Sequence, residues 1–126
     1  MSDATKISDA EWRVCQILWR YSPQTAKEIV AKLARKTDWN PRTVKTLLNR
    51  LVNKSVLGYE SRGREYHYFP RLSEDECVKA ETQSFVKRIF DGAAGAMIAS
   101  FLEHQQLSSR EIAELKAILD KKAAGK

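Results

Sequence analysis

A mainly helical fold with one small β hairpin, arranged as two halves of different character, is what this 126-residue chain predicts. Three observations carry that expectation. Four Ser/Thr-x-x-Glu pairs each open a run of apolar residues at helical spacing. After Leu57 the helical period gives way to strand-forming residues on both sides of a glycine. Excess positive charge, finally, is confined to one half: residues 1–72 hold 14 Lys/Arg against 7 Asp/Glu, whereas residues 73–126 hold 8 against 9. The net charge of +6 therefore comes wholly from the first half, which implies one electrostatic half and one that works by other means.

The four pairs are Ser8/Glu11, Thr25/Glu28, Ser73/Glu76 and Ser108/Glu111. In each, the hydroxyl can accept from the amide three residues on while the Glu reaches back to the first amide, so both orphan donors of a helix start are satisfied. The first helix, 9–21, carries Trp12, Val14, Cys15, Ile17, Leu18, Trp19 and Tyr21. Apolar residues cover most of its circumference, which predicts a helix packed between other elements. Trp12 and Trp19 lie two turns apart on one face and read as core aromatics rather than a ligand box. The second helix, 26–36, places Ala26, Ile29, Val30, Leu33 and Ala34 on one stripe and ends its outer face in Lys32, Arg35 and Lys36. The third begins at Asn40, a good N-cap, with Pro41 at the first position, where a missing amide costs nothing. Its Val44, Leu47, Leu48 and Leu51 fall at i, i+3, i+4 and i+7, and it ends near Lys54.

Residues 57–70 then alternate about Gly63 as a hairpin, with Arg62 and Arg64 at its tip and Pro70 ending the second strand. Loops of two and of three residues both fit. His67, flanked by Tyr66 and Tyr68, reads as a strand residue rather than a ligand. Three helices followed by a hairpin with a basic tip make a winged helix-turn-helix over residues 1–72.

The outward face of the third helix decides what that fold is for. It carries Arg42, Thr43, Lys45, Thr46, Asn49, Arg50 and Asn53, with no carboxylate among them. A merely solvated helix face mixes both signs, because Glu and Lys together support a helix better than Lys alone. Cations and short hydrogen-bonding groups are instead what a major-groove reader needs. On this reading Arg42, Thr43, Lys45, Thr46 and Asn49 face base edges of double-stranded DNA. Arg50, Arg62, Arg64 and the Thr25 region hold phosphates.

The second half, 73–126, predicts three helices with apolar stripes. The first, 74–90, presents Val78, Phe85, Ile89 and Phe90, with Cys77, Ala80 and Val86 nearby, and stops at Asp91-Gly92. The next, 93–104, presents Met97, Ile98, Phe101 and Leu102; the last, opened by Ser108, presents Ile112, Leu115, Ile118 and Leu119. Three short helices rarely bury enough surface to stand alone. The economical partner is a second copy related by a twofold axis, giving a homodimer; packing back on the first half is the alternative.

No signal-peptide core is expected at the N-terminus, and the longest apolar run, 93–102, is too short to span a bilayer, so no membrane insertion is expected. Cys15 and Cys77 read as small buried hydrophobes in a reducing cytoplasm. No catalytic set, phosphate loop or metal-ligand cluster stands out: His67 and His104 are isolated from each other and from the cysteines. An enzyme, a cofactor and a metal are therefore not expected.

The chain resembles the penicillinase-repressor family (BlaI/MecI/CopY), winged-helix dimeric repressors of β-lactam-resistance and copper-homeostasis operons. The resemblance lies in Ile7-Ser-Asp-Ala-Glu-Trp-Arg-Val14 with Trp19, in Asp38-Trp-Asn-Pro-Arg-Thr-Val-Lys-Thr-Leu-Leu-Asn-Arg-Leu51, in Arg64-Glu-Tyr-His-Tyr-Phe69 and in the last helix from Ser108 to Leu119. It implies that Arg42, Thr43, Lys45 and Thr46 meet a palindromic operator and that residues from about 73 onward dimerise. It also implies, in the β-lactam branch, a membrane sensor protease pathway ending in a cut at an Asn-Phe bond. The matching bond here is Ser100–Phe101, with Ser in place of Asn. The copper branch's C-terminal Cys-x-Cys motifs have no counterpart after Cys77, so metal sensing by that route is not expected. Two alternatives remain: a winged helix used for protein contact, and a DNA-binding regulator of another set of genes not induced by proteolysis.

Overall fold

A computed structural model describes residues 6–125; residues 1–5, where no signal-peptide core is expected, lie outside it. The elements run α1 (Asp9–Arg20), β1 (Gln24–Thr25), α2 (Ala26–Leu33), α3 (Pro41–Asn53), β2 (Leu57–Arg62), β3 (Glu65–Pro70), α4 (Glu74–Phe90), α5 (Ala94–His104) and α6 (Ser109–Ala124). All four predicted capping boxes form: in each, the hydroxyl accepts from the Glu amide and the Glu carboxylate accepts from the Ser or Thr amide. Asn40 caps α3 through Oδ1, which accepts from the Thr43 amide at 2.9 Å.

The three strands form one antiparallel sheet in the order β1-β3-β2. β1 is absent from the sequence reading. It has only two residues, Gln24 pairing with Tyr68 and Thr25 with His67, and so offers no alternation to detect. The hairpin register places Arg62 opposite Glu65, so the loop is the two-residue version, Gly63-Arg64. Gly63 sits at φ +62°, a conformation that tight hairpin turns demand and that glycine accepts without penalty.

The core is the one that the apolar periodicity predicts. Val14, Cys15 and Leu18 from α1 meet Ile29 and Leu33 from α2, and Val44, Leu47, Leu48 and Leu51 from α3. Val56, Leu57 and Tyr68 close it from the sheet side. Trp12 and Trp19 pack edge-to-face at 5.3 Å against this core, and the Trp19 indole donates to the Leu72 carbonyl at 3.0 Å. Glu11 is buried with them, 1% exposed, and its Oε1 accepts from the Lys54 ammonium at 2.6 Å. Lys54 also donates to the Lys6 carbonyl at 2.8 Å. One ion pair thereby ties the start of α1 to the end of α3.

The chain divides into two compact units between Thr82 and Gln83, within α4 rather than at its start. The physical reason is Cys77: it is 4% exposed and belongs to the core of the first unit, so the opening turns of α4 go with that unit. Cys77 thus differs from the expectation that placed it beside the apolar stripe of the second half. In the second unit, α5 and α6 contain no buried residue among those described.

Candidate nucleic-acid interface

The residues singled out on α3 divide by exposure as their helical phase requires. Arg42, Lys45, Thr46, Asn49, Arg50 and Asn53 are exposed and Thr43 is half-buried, while Val44, Leu47, Leu48 and Leu51 face inward. No acidic residue lies anywhere on α3. Within that face the groups differ in what they can still do. The Thr46 hydroxyl donates to the Arg42 carbonyl at 3.0 Å, which leaves its methyl group and acceptor lone pairs for a ligand. Lys45, Asn49 and Arg50 have no side-chain hydrogen bond among the described residues, so their donors face solvent.

The wing brings a second cation to the same place. Lys45 and Arg64 line one groove of about 380 Å³, shared with Thr25, Lys27, Pro41 and the rings of Tyr66 and Tyr68. The β2–β3 pairing therefore carries the wing tip to the N-terminal half of α3, a juxtaposition that the sequence does not contain. Arg62 and Arg64 are not equivalent. Arg62 pairs with Glu60 at 3.0 Å, and both side chains are well exposed, so the pair is weak but offsets its charge locally. Arg64 has no ion-pair partner among the described residues and is the stronger phosphate candidate.

Thr25 lies at the groove, but its side chain is largely engaged. It is 8% exposed, and its hydroxyl accepts from the Glu28 amide and donates to the Glu28 carboxylate. Its side chain belongs to the α2 cap, so its hydroxyl proton is already committed, although the residue lines the groove. The Glu28 carboxyl is held below its ordinary range by the Thr25 amide above all; desolvation, next in size, opposes it, and the Thr25 hydroxyl and the Lys32 and His67 charges add smaller lowering effects. Lys27, absent from the residues that the sequence points to, is exposed on the groove beside Thr25. A cation two residues into a helix beside a basic groove was the available signal.

The Tyr59 and Tyr66 rings stack at 4.3 Å on the wing, and both are close to half exposed. Tyr68 beneath them is buried, and burial first, then its tyrosine neighbours, raises its phenol above the ordinary value. The stack stiffens the short sheet and fixes where Arg64 is held.

In the second unit the expected dimerisation residues are all accessible. Ile98, Phe101, Leu102, Ile112 and Leu119 are exposed, as are Phe85 and Ile89 on the latter part of α4; Phe90, Met97 and Leu115 are half-buried. Val78, from the first unit's part of α4, is 45% exposed. Ser100 and Phe101 lie inside α5, and the Ser100 carbonyl is 2.7 Å from the His104 imidazole Nδ1.

Three helices, a three-stranded sheet and a basic third helix beside a basic wing define a winged helix-turn-helix protein. The penicillinase repressor family model matches residues 7–121, and the chain belongs to that family. It is similar to the penicillinase repressor of Bacillus licheniformis, 35% identical over 120 residues that cover 95% of this chain and 94% of that one. It is also similar to the methicillin resistance regulatory protein MecI of Staphylococcus aureus, 30% identical over 117 residues, covering 93% and 95% of the two chains. Among solved structures, the DNA-binding domain of the repressor BlaI matches with a TM-score of 0.53 and 34% identity, covering 56% of this chain and 87% of that one. The Bacillus licheniformis BlaI monomeric form in complex with the blaP half-operator matches with a TM-score of 0.50, 34% identity and the same coverages.

Proposed function

We propose that the protein is a homodimeric, sequence-specific DNA-binding transcriptional repressor acting on a palindromic operator. The observation that carries this reading is the acid-free outward face of α3, joined by the wing at the groove that Lys45 and Arg64 share. Cations with free donors at that spacing suit guanine edges and phosphates, and the carboxylate-free face of α3 avoids repelling the duplex, Glu65 being the one acidic residue on the groove. In this assignment Arg42, Thr43, Lys45, Thr46 and Asn49 read bases, and Arg50, Lys27, Arg62 and Arg64 hold the backbone. The relatives named as repressors, and the relative solved with a half-operator, support it. The protein acts as a regulator, not as an enzyme, and works in the cytoplasm.

The second half serves as the dimerisation domain. Its helices leave most of their large apolar side chains exposed in a single chain, an arrangement stable only when another surface covers them. Two DNA-binding units linked on a symmetric site gain from effective concentration, because the second binds as if intramolecularly. Relief of repression follows from loss of that linkage. An inactivating cut at Ser100–Phe101 requires α5 to open first, since proteases take exposed, extended chain and this bond is helical. β-Lactam-resistance genes are the proposed targets, with a membrane sensor protease pathway upstream.

A mobility-shift and footprinting experiment with DNA upstream of the protein's own gene tests the reading. The expected result is a protected site with twofold symmetry and affinity that falls as salt rises. An unshifted fragment, or binding indifferent to salt, overturns it.

A further inference from the structure

A second basic recess lies on the flank of α2 away from the groove just described. It has a volume of about 500 Å³ and is walled by one face of α1 from Arg13 to Arg20, by Tyr21, and by the end of α2 with the turn that follows it. Arg13, Arg20, Lys32, Arg35 and Lys36 surround it, and no carboxylate lines it. None of the five takes part in an ion pair among the described residues. Arg13 and Arg20 stand at i and i+7 on α1, on the same stripe as Gln16 and Ile17, so that helix turns one face to the recess. On α2, Lys32 lies roughly half a turn of helix away from Lys27 and Val30, which line the α3 groove, and Arg35 and Lys36 follow in the turn after α2. The recess and the α3 groove share no lining residue.

Helix ends attract cations by themselves, and this accounts for Arg20 and Lys32. It does not account for Arg13, in the first half of α1. The magnitudes also disagree with it. Two helix C-termini contribute roughly half a negative charge each, and Asp9 and Glu28 lie one turn from Arg13 and Lys32 without pairing with them. Five full cations exceed that total by about two charges. One of them is held in place by a buried group: the Lys32 ammonium donates to Gln24 Oε1 at 2.7 Å, and Gln24 is fully buried, anchored through its amide nitrogen to the Ile17 carbonyl at 3.3 Å. Lys32 also lies 5.1 Å from the centre of the Tyr21 ring, which is 66% exposed at the rim. Like charges drawn together on a fixed framework repel one another until an anion separates them.

We propose that this α1–α2 recess binds a compact anion carrying two or more phosphates, at a site separate from the α3–wing face. Arg13, Arg20 and Arg35 supply forked donors to phosphate oxygens, Lys32 supplies a point charge, and Tyr21 offers a ring for an attached base.

Calorimetric titration of the full chain with inorganic tripolyphosphate, and in parallel with ATP, tests the site at about 0.15 M salt. Saturable binding of one tripolyphosphate per chain is expected, weakened about ten-fold for each arginine lost in Arg13→Ala/Arg35→Ala. Both positions are exposed, and Arg20→Gln provides a second variant should the double change disturb folding. Lys45→Ala is expected to leave the titration unchanged, and Arg13→Ala/Arg35→Ala to leave the salt dependence of DNA binding unchanged. Absence of saturable binding overturns the proposal, as does binding that survives Arg13→Ala/Arg35→Ala and Arg20→Gln or disappears with Lys45→Ala. A reduced salt slope on DNA also overturns it, because the recess is then a contact for duplex phosphates.

Discussion

Replacing Lys54 by Met tests whether the Glu11–Lys54 pair holds the DNA-binding unit together. Met keeps most of the aliphatic stem and removes the ammonium. The Glu11 side chain, 2% exposed, is then a buried carboxylate without its cation, and the Lys6 carbonyl loses a donor. Removing one member of a fully buried pair costs about 3–5 kcal/mol. Lys54 keeps 29% of its side-chain surface, so water screens the pair from one side and about 2–3 kcal/mol is the appropriate figure. For a unit of this size that is a drop in melting temperature of about 10–20 °C. The deficit also depends on pH. Burial raises the Glu11 carboxyl, but the Lys54 bond, the Ser8 amide and the Lys54 charge together outweigh burial and hold it below its ordinary 4.5. A depressed folded value contributes stability that is present above the unfolded value and lost as pH falls through the folded one. In Lys54→Met nothing opposes burial to the same degree, so Glu11 takes up a proton more readily and the deficit shrinks as pH falls to about 4. Urea unfolding followed by tryptophan fluorescence is the assay, because Trp12, Trp19 and Trp39 all lie in the first unit. A loss below about 0.5 kcal/mol at neutral pH, or a deficit undiminished at low pH, refutes the assignment.

Lys45→Ala is expected to weaken a specific operator by about 1–3 kcal/mol, measured by fluorescence anisotropy against a scrambled duplex. Arg64→Ala should weaken both duplexes alike and lower the salt slope by about one; base-selective loss would instead make Arg64 a base reader. Phe101→Asp places a charge on the apolar stripe of α5, and sedimentation should then show single chains where the unaltered protein forms dimers; an unchanged mass removes α5 from the interface. Cys15 and Cys77 should resist iodoacetamide at pH 8 in the folded protein, since burial, with a smaller effect from Cys77, pushes the Cys15 thiol up to about 12 and burial also raises Cys77. Rapid labelling seen by mass spectrometry would show that the first unit opens locally.

The capping boxes, the core positions of α1 to α3 and the hairpin centred on Gly63 were all legible in the sequence, because each is specified by residues within one turn or one hairpin of each other. So was the carboxylate-free face of α3, a property of composition and helical phase alone. Tertiary structure decided what depends on residues distant in sequence. It added β1, too short to show a period, and that strand pairs with β3 across the intervening helices. It buried Cys77 in the core of the first unit and so moved the division of the chain into α4. It committed the Thr25 hydroxyl to the α2 cap, and it separated Arg64 from Arg62, whose charge Glu60 offsets. Periodicity states which side of an element faces inward; only packing states which two outward faces meet, and that is what brought Lys45 beside Arg64 and gathered five cations between α1 and α2.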